Sequence, residues 1–336
     1  MPKYGDEVIT ARILSNHSLV ELLTWVPRHQ PHYPTYYLLI KAWLDVTGLP
    51  IYSGRLLSAV AGITTIILVL QAATEWYDRE TAWIAGGLLA CSPLLVYESG
   101  WLRMYALLTL VSTASIITLV RASKQPSWRR WLSWLIFTLL LVWMHPFGFF
   151  LFLGELAYVA YRPPRWILGF TFVALASIPG LLVLALKVDG HAGMGTANLV
   201  HLPTPPGLLT IIFLPFALLL GRLFMLSQVS GILALGLPFA IGGTNIWRSE
   251  ERAFYLAWIA IPVCGVIMAS YLIRPIFELK YLAWIAVPIA ILVARGLRSR
   301  VRVYRYVFLG IIVFSQLVVL LHWQWRNPWI ALHVIG

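Results

Sequence analysis

Gly54-Arg55-Leu56-Leu57-Ser58-Ala59-Val60-Ala61-Gly62-Ile63-Thr64-Thr65-Ile66-Ile67-Leu68-Val69-Leu70-Gln71-Ala72-Ala73 carries one charge, Arg55, and is otherwise apolar or weakly polar. As a helix it is long enough to cross the roughly 30 Å hydrocarbon core of a bilayer. Comparable runs recur at 81–96, 104–120, 131–144, 147–160, 166–187, 228–246, 254–272, 282–294 and 306–322. Composition agrees: 60% of the 336 residues are hydrophobic and 11% are charged, against about 45–50% and about 25% in soluble domains. The alternating pattern of a membrane β-barrel is missing. The chain therefore reads as an all-α, polytopic membrane protein of about ten transmembrane helices.

Charge sets the orientation. The net charge of +12 would suggest nucleic acid in a soluble domain, but here basic residues cluster in short loops. These clusters are Arg121/Lys124/Arg129/Arg130, Arg162/Arg165, Arg248/Arg252 and Arg295/Arg298/Arg300/Arg302/Arg305. The positive-inside rule makes all four cytoplasmic and accounts for the excess charge without nucleic acid as a partner. An even number of spans must then separate Arg165 from Arg248. Segments 166–187 and 228–246 supply two, so 188–226, interrupted by Pro205-Pro206-Gly207 and Pro215, is predicted to be an outer loop with a re-entrant or surface helix.

The same parity puts residues 1–53 outside as a first loop, with 54–336 forming the transmembrane bundle. Within 1–53, the spacing of Ile13, Leu14, Leu19, Leu22, Leu23 and Trp25 predicts one interfacial helix over 8–26. A second short interfacial segment follows at 35–44. An outside start without an apolar signal core implies a missing first helix, an eleventh, and no C-terminal soluble domain follows the last span. Cys91 and Cys264, both in apolar runs, form neither a disulfide framework nor a metal motif.

Polar groups collect on the outer side. The first loop brings Asp6, Glu7, His29 and His32; the second is Glu98-Ser99-Gly100-Trp101-Leu102-Arg103-Met104-Tyr105. A late loop brings Glu278, Lys280 and Tyr281, and His145 ends a span before Pro146. Such a set suits transfer of a group from a lipid-linked phosphate at the extracytoplasmic face of the cell membrane. A carboxylate can serve as general base on an acceptor hydroxyl, and Arg or Lys can hold the phosphate as its charge grows. The acids and histidines of these loops can also hold a divalent metal, although no ligand spacing is diagnostic; no other cofactor is implied.

The order of these motifs resembles the GT-C membrane glycosyltransferases. The likeness is to the dolichyl-phosphate-mannose protein mannosyltransferase-like branch that includes the bacterial aminoarabinose transferases. Asp6-Glu7 matches that family's first-loop acid pair. His32-Tyr33-Pro34-Thr35-Tyr36-Tyr37, followed by Gly48 and Arg55-Leu56, resembles its His-Pro-Pro-Leu-Tyr-Tyr stretch. Glu98 through Arg103-Met104-Tyr105 resembles its second loop, and Lys280-Tyr281 with Pro288 its late Arg-Tyr and proline.

The resemblance implies an inverting transfer of a hexose or pentose from a polyprenyl-phosphate-linked sugar. The acceptor would be a protein, lipid or glycan. Asp6 and Glu7 would be catalytic, with Asp6 as the base, and Arg103, Lys280, Glu98, His32, Tyr105 and Tyr281 would bind donor phosphate or substrate. Lys replaces the family's late Arg, and His-Pro-Pro is loosened to His-Tyr-Pro.

Each residue also has a structural assignment. Asp6 can cap a helix and Glu7 can favour its first turn. Arg103 can snorkel or pair with Glu98, Lys280 can pair with Glu278, and the His and Tyr residues can simply sit at an interface. Two other functions compete with transfer. A transporter or flippase of a lipid-linked or small solute would place ionisable groups in mid-span, where Glu155 is the one acid found. A scaffolding subunit would need no site at all.

Overall fold

A computed structural model describes residues 5–30, 33–48, 50–160, 205–221, 226–247, 251–272, 276–299 and 301–326. Among them the chain is helical, and six helices are long and apolar enough to cross a membrane. These are Tyr52–Trp76, Tyr105–Lys124, Val229–Trp247, Arg252–Leu272, Leu279–Arg298 and Arg302–His322. The chain is a multi-pass membrane protein. The expected span at 166–187 and most of the 188–226 loop lie outside the described residues.

The helices form two compact units, Met1–Thr65 with Glu98–Pro206 and Ala253–Trp284, and Ile66–Tyr97 with Gly207–Arg252 and Ile285–Gly336. In the first unit, α1 (Gly5–Asn16) and α2 (Leu19–His29) replace the single helix expected over 8–26. Ser18 separates them. Its hydroxyl accepts from the Glu21 N–H while its own N–H donates to Glu21 Oε2 (2.7 Å), a reciprocal pairing that starts a new helix. Helix α3 (Pro34–Thr47) starts on a proline, whose missing N–H costs nothing there, and stops at Gly48, which takes the left-handed conformation (φ 72°). Helix α4 (Pro50–Trp76), which belongs to this unit as far as Thr65, contains the first apolar run.

Helices α7 (Tyr105–Lys124), α8 (Trp128–Met144) and α9 (Gly148–Ala160) follow α5 and α6, described below with the second unit. A polar knot ties these three together. Fully buried Glu155 on α9 accepts from Ser115 on α7 (2.5 Å) and from Thr138 (3.0 Å) and Trp134 Nε1 (3.2 Å) on α8. Trp134 and Thr138 are four residues apart, hence on one face of α8. The mid-span acid is thus surrounded by donors, which is how a buried carboxyl group is tolerated.

Helix α13 (Arg252–Leu272) lies so close to α9 that a side-chain carbon at Gly154 would overlap the Ala257 carbonyl. It makes one π-type turn at Leu256–Ala260 just before Pro262, which has no N–H to continue the regular ladder.

In the second unit, the expected span at 81–96 is not one helix. Helices α5 (Arg79–Ala90) and α6 (Pro93–Ser99) meet at 64°. Pro93 cannot serve the Leu89 carbonyl, so Ser92 N–H turns to Leu89 (3.1 Å) and the Leu88 carbonyl is released. A neighbouring segment forms two short helices, α10 (Leu208–Ile212) and α11 (Leu214–Leu220), the latter stopped by Gly221 (φ 83°).

Helices α12 (Leu226–Trp247), α14 (Leu279–Arg298) and α15 (Arg302–Arg326) complete this unit, with the first turns of α14 belonging to the other one. Gln316 of α15 donates to the released Leu88 carbonyl (3.0 Å) and to Leu219 at the end of α11 (2.9 Å), and Ser92 Oγ donates to Leu218 (3.1 Å). Side chains therefore satisfy carbonyls that two helix ends leave open. At the basic edge, Arg305 pairs with Glu80, Arg298 with Glu80 (3.0 Å) and Asp78 (3.7 Å), and Arg295 with Glu251.

Candidate active site

The site lies within the first unit, where α1, α3, the start of α4, the turn at 100–104, the end of α8 and the start of α14 come together. Its floor is an ion pair. Glu7 on α1 has no exposed surface; Oε1 accepts from Arg55 Nε (2.8 Å) and from the Leu102 N–H (3.1 Å), and Oε2 accepts from Arg55 Nη2 (2.7 Å). Two parallel guanidinium bonds make this a strong, directional contact. It pins α1 to the first turns of α4 and to the second loop.

Gly54 permits the approach, since a side-chain carbon there would overlap Leu102; Ile40 of α3 reaches the same spot. The loop is held further by Ser58 Oγ, which donates to the Trp101 carbonyl (2.6 Å). Arg103 is buried in consequence, with Nη1 donating to Thr10 on α1 (3.0 Å).

Above this floor stand Tyr105, His145, Phe147 and Tyr281. Ring centroids are 5.3 Å apart for His145–Tyr281, 5.7 Å for Tyr105–Tyr281, 6.2 Å for Tyr105–His145 and 4.8 Å for Phe147–Tyr281. Pro146 explains why His145 is where it is. The residue before a proline is forced out of the helical region, so His145 is extended (φ −151°, ψ 139°) and ends α8. Its Nδ1 accepts from the Phe147 N–H (3.2 Å). Burial first, then the Arg103 and Lys280 cations, hold its pKa down at about 3. His145 is accordingly neutral at physiological pH.

Lys280, on the tight first turns of α14, lies 5.8 Å from the Tyr105 ring and 5.4 Å from the Tyr281 ring, within cation–π range. It also pairs with Glu278 (2.8 Å), a half-exposed contact of the kind worth little on its own.

Several candidates named from the sequence thus gather in one place: Glu7, Arg103, Tyr105, His145, Lys280 and Tyr281. Asp6 sits in the first turn of α1, immediately before pinned Glu7, and its side chain lies outside the described residues, as does all of His32. Glu98 is buried at the end of α6. Three contributors were given no individual role from sequence: Arg55 and Tyr36 entered only as members of the motif stretch, and Thr10 was not named. The lone charge at the head of a 20-residue apolar run was the available signal for Arg55. Among the described residues, no three His, Cys, Asp or Glu side chains gather in a metal-like group.

A family model, dolichyl-phosphate-mannose-protein mannosyltransferase, matches residues 21–144. The fold is that of ArnT from Cupriavidus metallidurans. The apo structure of that protein matches with a TM-score of 0.59 and 15% identity over 87% of this chain and 54% of that one. Its structure bound to undecaprenyl phosphate matches with a TM-score of 0.60 and 14% identity over 87% and 55%. The chain thus spans about half the length of the solved structures it matches. No curated protein matches its sequence significantly. The GT-C-like fold expected from the order of motifs is the fold observed.

Proposed function

We propose that this chain is a membrane glycosyltransferase that moves a sugar from a polyprenyl-phosphate donor to an acceptor hydroxyl at the extracytoplasmic face. The observation that carries this reading is the meeting of Arg103 and Lys280, from loops far apart in sequence, around one neutral histidine. Arg103 donates to Thr10 of the helix that bears Asp6-Glu7. Two cations and a carboxylate-bearing helix can serve the two ends of a displacement at a sugar carbon. The undecaprenyl phosphate bound by ArnT is a ligand of the matching chemistry.

In the proposed step Asp6 takes the proton of the acceptor hydroxyl, whose oxygen forms the new bond to the anomeric carbon. The bond from that carbon to the phosphate oxygen breaks, and its electron pair leaves with the polyprenyl phosphate. Arg103 and Lys280 receive the growing negative charge, the stage at which a fixed cation accelerates most. Attack opposite the leaving group inverts the configuration. Glu7, with both oxygens engaged, acts by holding α1 and Arg55 in place. Neutral His145 positions the rings of Tyr105 and Tyr281 and adds no charge that would repel the cations.

The test is transfer by the purified chain in lipid nanodiscs, from a panel of polyprenyl-phosphate hexoses and pentoses. Asp6→Asn is expected to lower transfer at least about 100-fold while leaving the unfolding temperature unchanged. Undiminished transfer by Asp6→Asn would remove Asp6 as base. A wild-type chain that binds no polyprenyl phosphate would remove the whole reading.

A further inference from the structure

Tyr36 is fully buried on α3, yet among the described residues its hydroxyl has no hydrogen-bond partner. Burial of a hydroxyl without a partner costs stability, and phenylalanine would fill the same space without that cost. The position of the hydroxyl gives a reason for keeping it. Ile40, one helical turn further along the same face of α3, meets Gly54 beside Leu102. Tyr36 thus lies on the face of α3 that meets the loop bearing Leu102 and Arg103. Arg103 and Glu7 both lie within electrostatic range of its oxygen, and Tyr37 packs edge-on to its ring at 5.5 Å.

Arg103 has N–H donors and no acceptor, and the phenol presents one more donor. A group that accepts from the phenol beside this cation has several acceptor oxygens and negative charge. We propose that Tyr36 is a binding residue of this site, its hydroxyl donating a hydrogen bond to a phosphate oxygen of the lipid-linked donor. The assignment rests on the donor class proposed above. It makes Tyr36 a part of the site that is incomplete until the ligand arrives. The ligand then satisfies the buried hydroxyl in place of a protein partner, so binding recovers free energy that folding left unspent.

Tyr36→Phe separates this role from a structural one. The variant and the wild type are purified whole in nanodiscs, and binding of undecaprenyl phosphate is measured beside undecaprenol, which lacks the phosphate. Without ligand, Tyr36→Phe is expected to unfold no lower than wild type. Its affinity for undecaprenyl phosphate is expected to be about 10- to 100-fold weaker, as for loss of a hydrogen bond to a charged group, with undecaprenol binding unchanged.

Equal affinity for undecaprenyl phosphate would overturn the assignment. So would a lowered unfolding temperature, which would give the hydroxyl a structural partner, or an equal loss for undecaprenol. A wild-type chain that does not distinguish undecaprenyl phosphate from undecaprenol would bring down the proposed donor, and this assignment with it.

Discussion

Glu7 and His145 show how a membrane protein keeps ionisable groups buried at the candidate site. Glu7 is neutralised by the two bonds to Arg55. Glu7→Gln keeps the shape but loses the charged pair, and about 2 kcal/mol of stability should go with it. Thermal unfolding in nanodiscs checks this, and an unchanged midpoint would mean that the pair is not sustained in the membrane.

His145 gives a pH signature. Its pKa in the folded chain, about 3, is depressed from 6.5. Above 6.5 folded and unfolded forms are both neutral. As pH falls below 6.5 the unfolded chain gains a proton that the folded chain refuses, so stability is lost progressively down to about 3. His145→Gln should flatten the unfolding midpoint between pH 6.5 and 4. Parallel profiles for the two proteins would show that another group sets the acid limit. His145 could be named from sequence because a histidine before a proline at the end of an apolar run is conspicuous. Tyr36 was visible only as a member of a motif stretch, because its own role lies in the lack of a partner among the described residues, which the fold alone reveals.

At the scale of elements, hydropathy located the helices well and their interruptions poorly. The run at 81–96 is apolar throughout, and prolines are common in membrane spans, so the 64° bend at Pro93 was hidden. It depends on carbonyl acceptors that composition does not register. The division of α1 from α2 did carry a local signal, Ser18 followed three residues later by Glu21, a helix-start pattern that the apolar spacing running across it obscured.

Glu155 was visible as a mid-span acid, but not the donors that surround it, which lie 17 to 40 residues away in sequence. Glu155→Ala should cost about 3 kcal/mol by stranding three donors on α7 and α8, whereas Glu155→Gln retains an acceptor and should cost about 1 kcal/mol. Equal losses would show that charge rather than hydrogen-bond satisfaction holds the three helices.

For the molecule as a whole, the class was plain from composition and the orientation rests on basic loops. Cysteine labelling tests that orientation. With Cys91 and Cys264 changed to serine, a cysteine at Gly100 should react with an impermeant reagent added outside intact cells. One at Gln125 should react only after the membrane is opened. The reverse pattern would move the Arg103 and Lys280 cluster to the cytoplasm and the proposed chemistry with it.

The contacts of Gln316 bear on how the chain is made. Leu88 and Leu219 leave the ribosome long before α15, and until Gln316 arrives their carbonyls have no side-chain amide to meet. In hydrocarbon an unmet carbonyl costs several kcal/mol, so the early helices should stay at the insertion machinery, shielded or still wet, until synthesis is nearly over. The last helix would then act as a release signal. In Gln316→Leu, nascent chains should remain crosslinked to the translocon for longer, and more of the finished protein should be degraded, even with every residue of the candidate site intact.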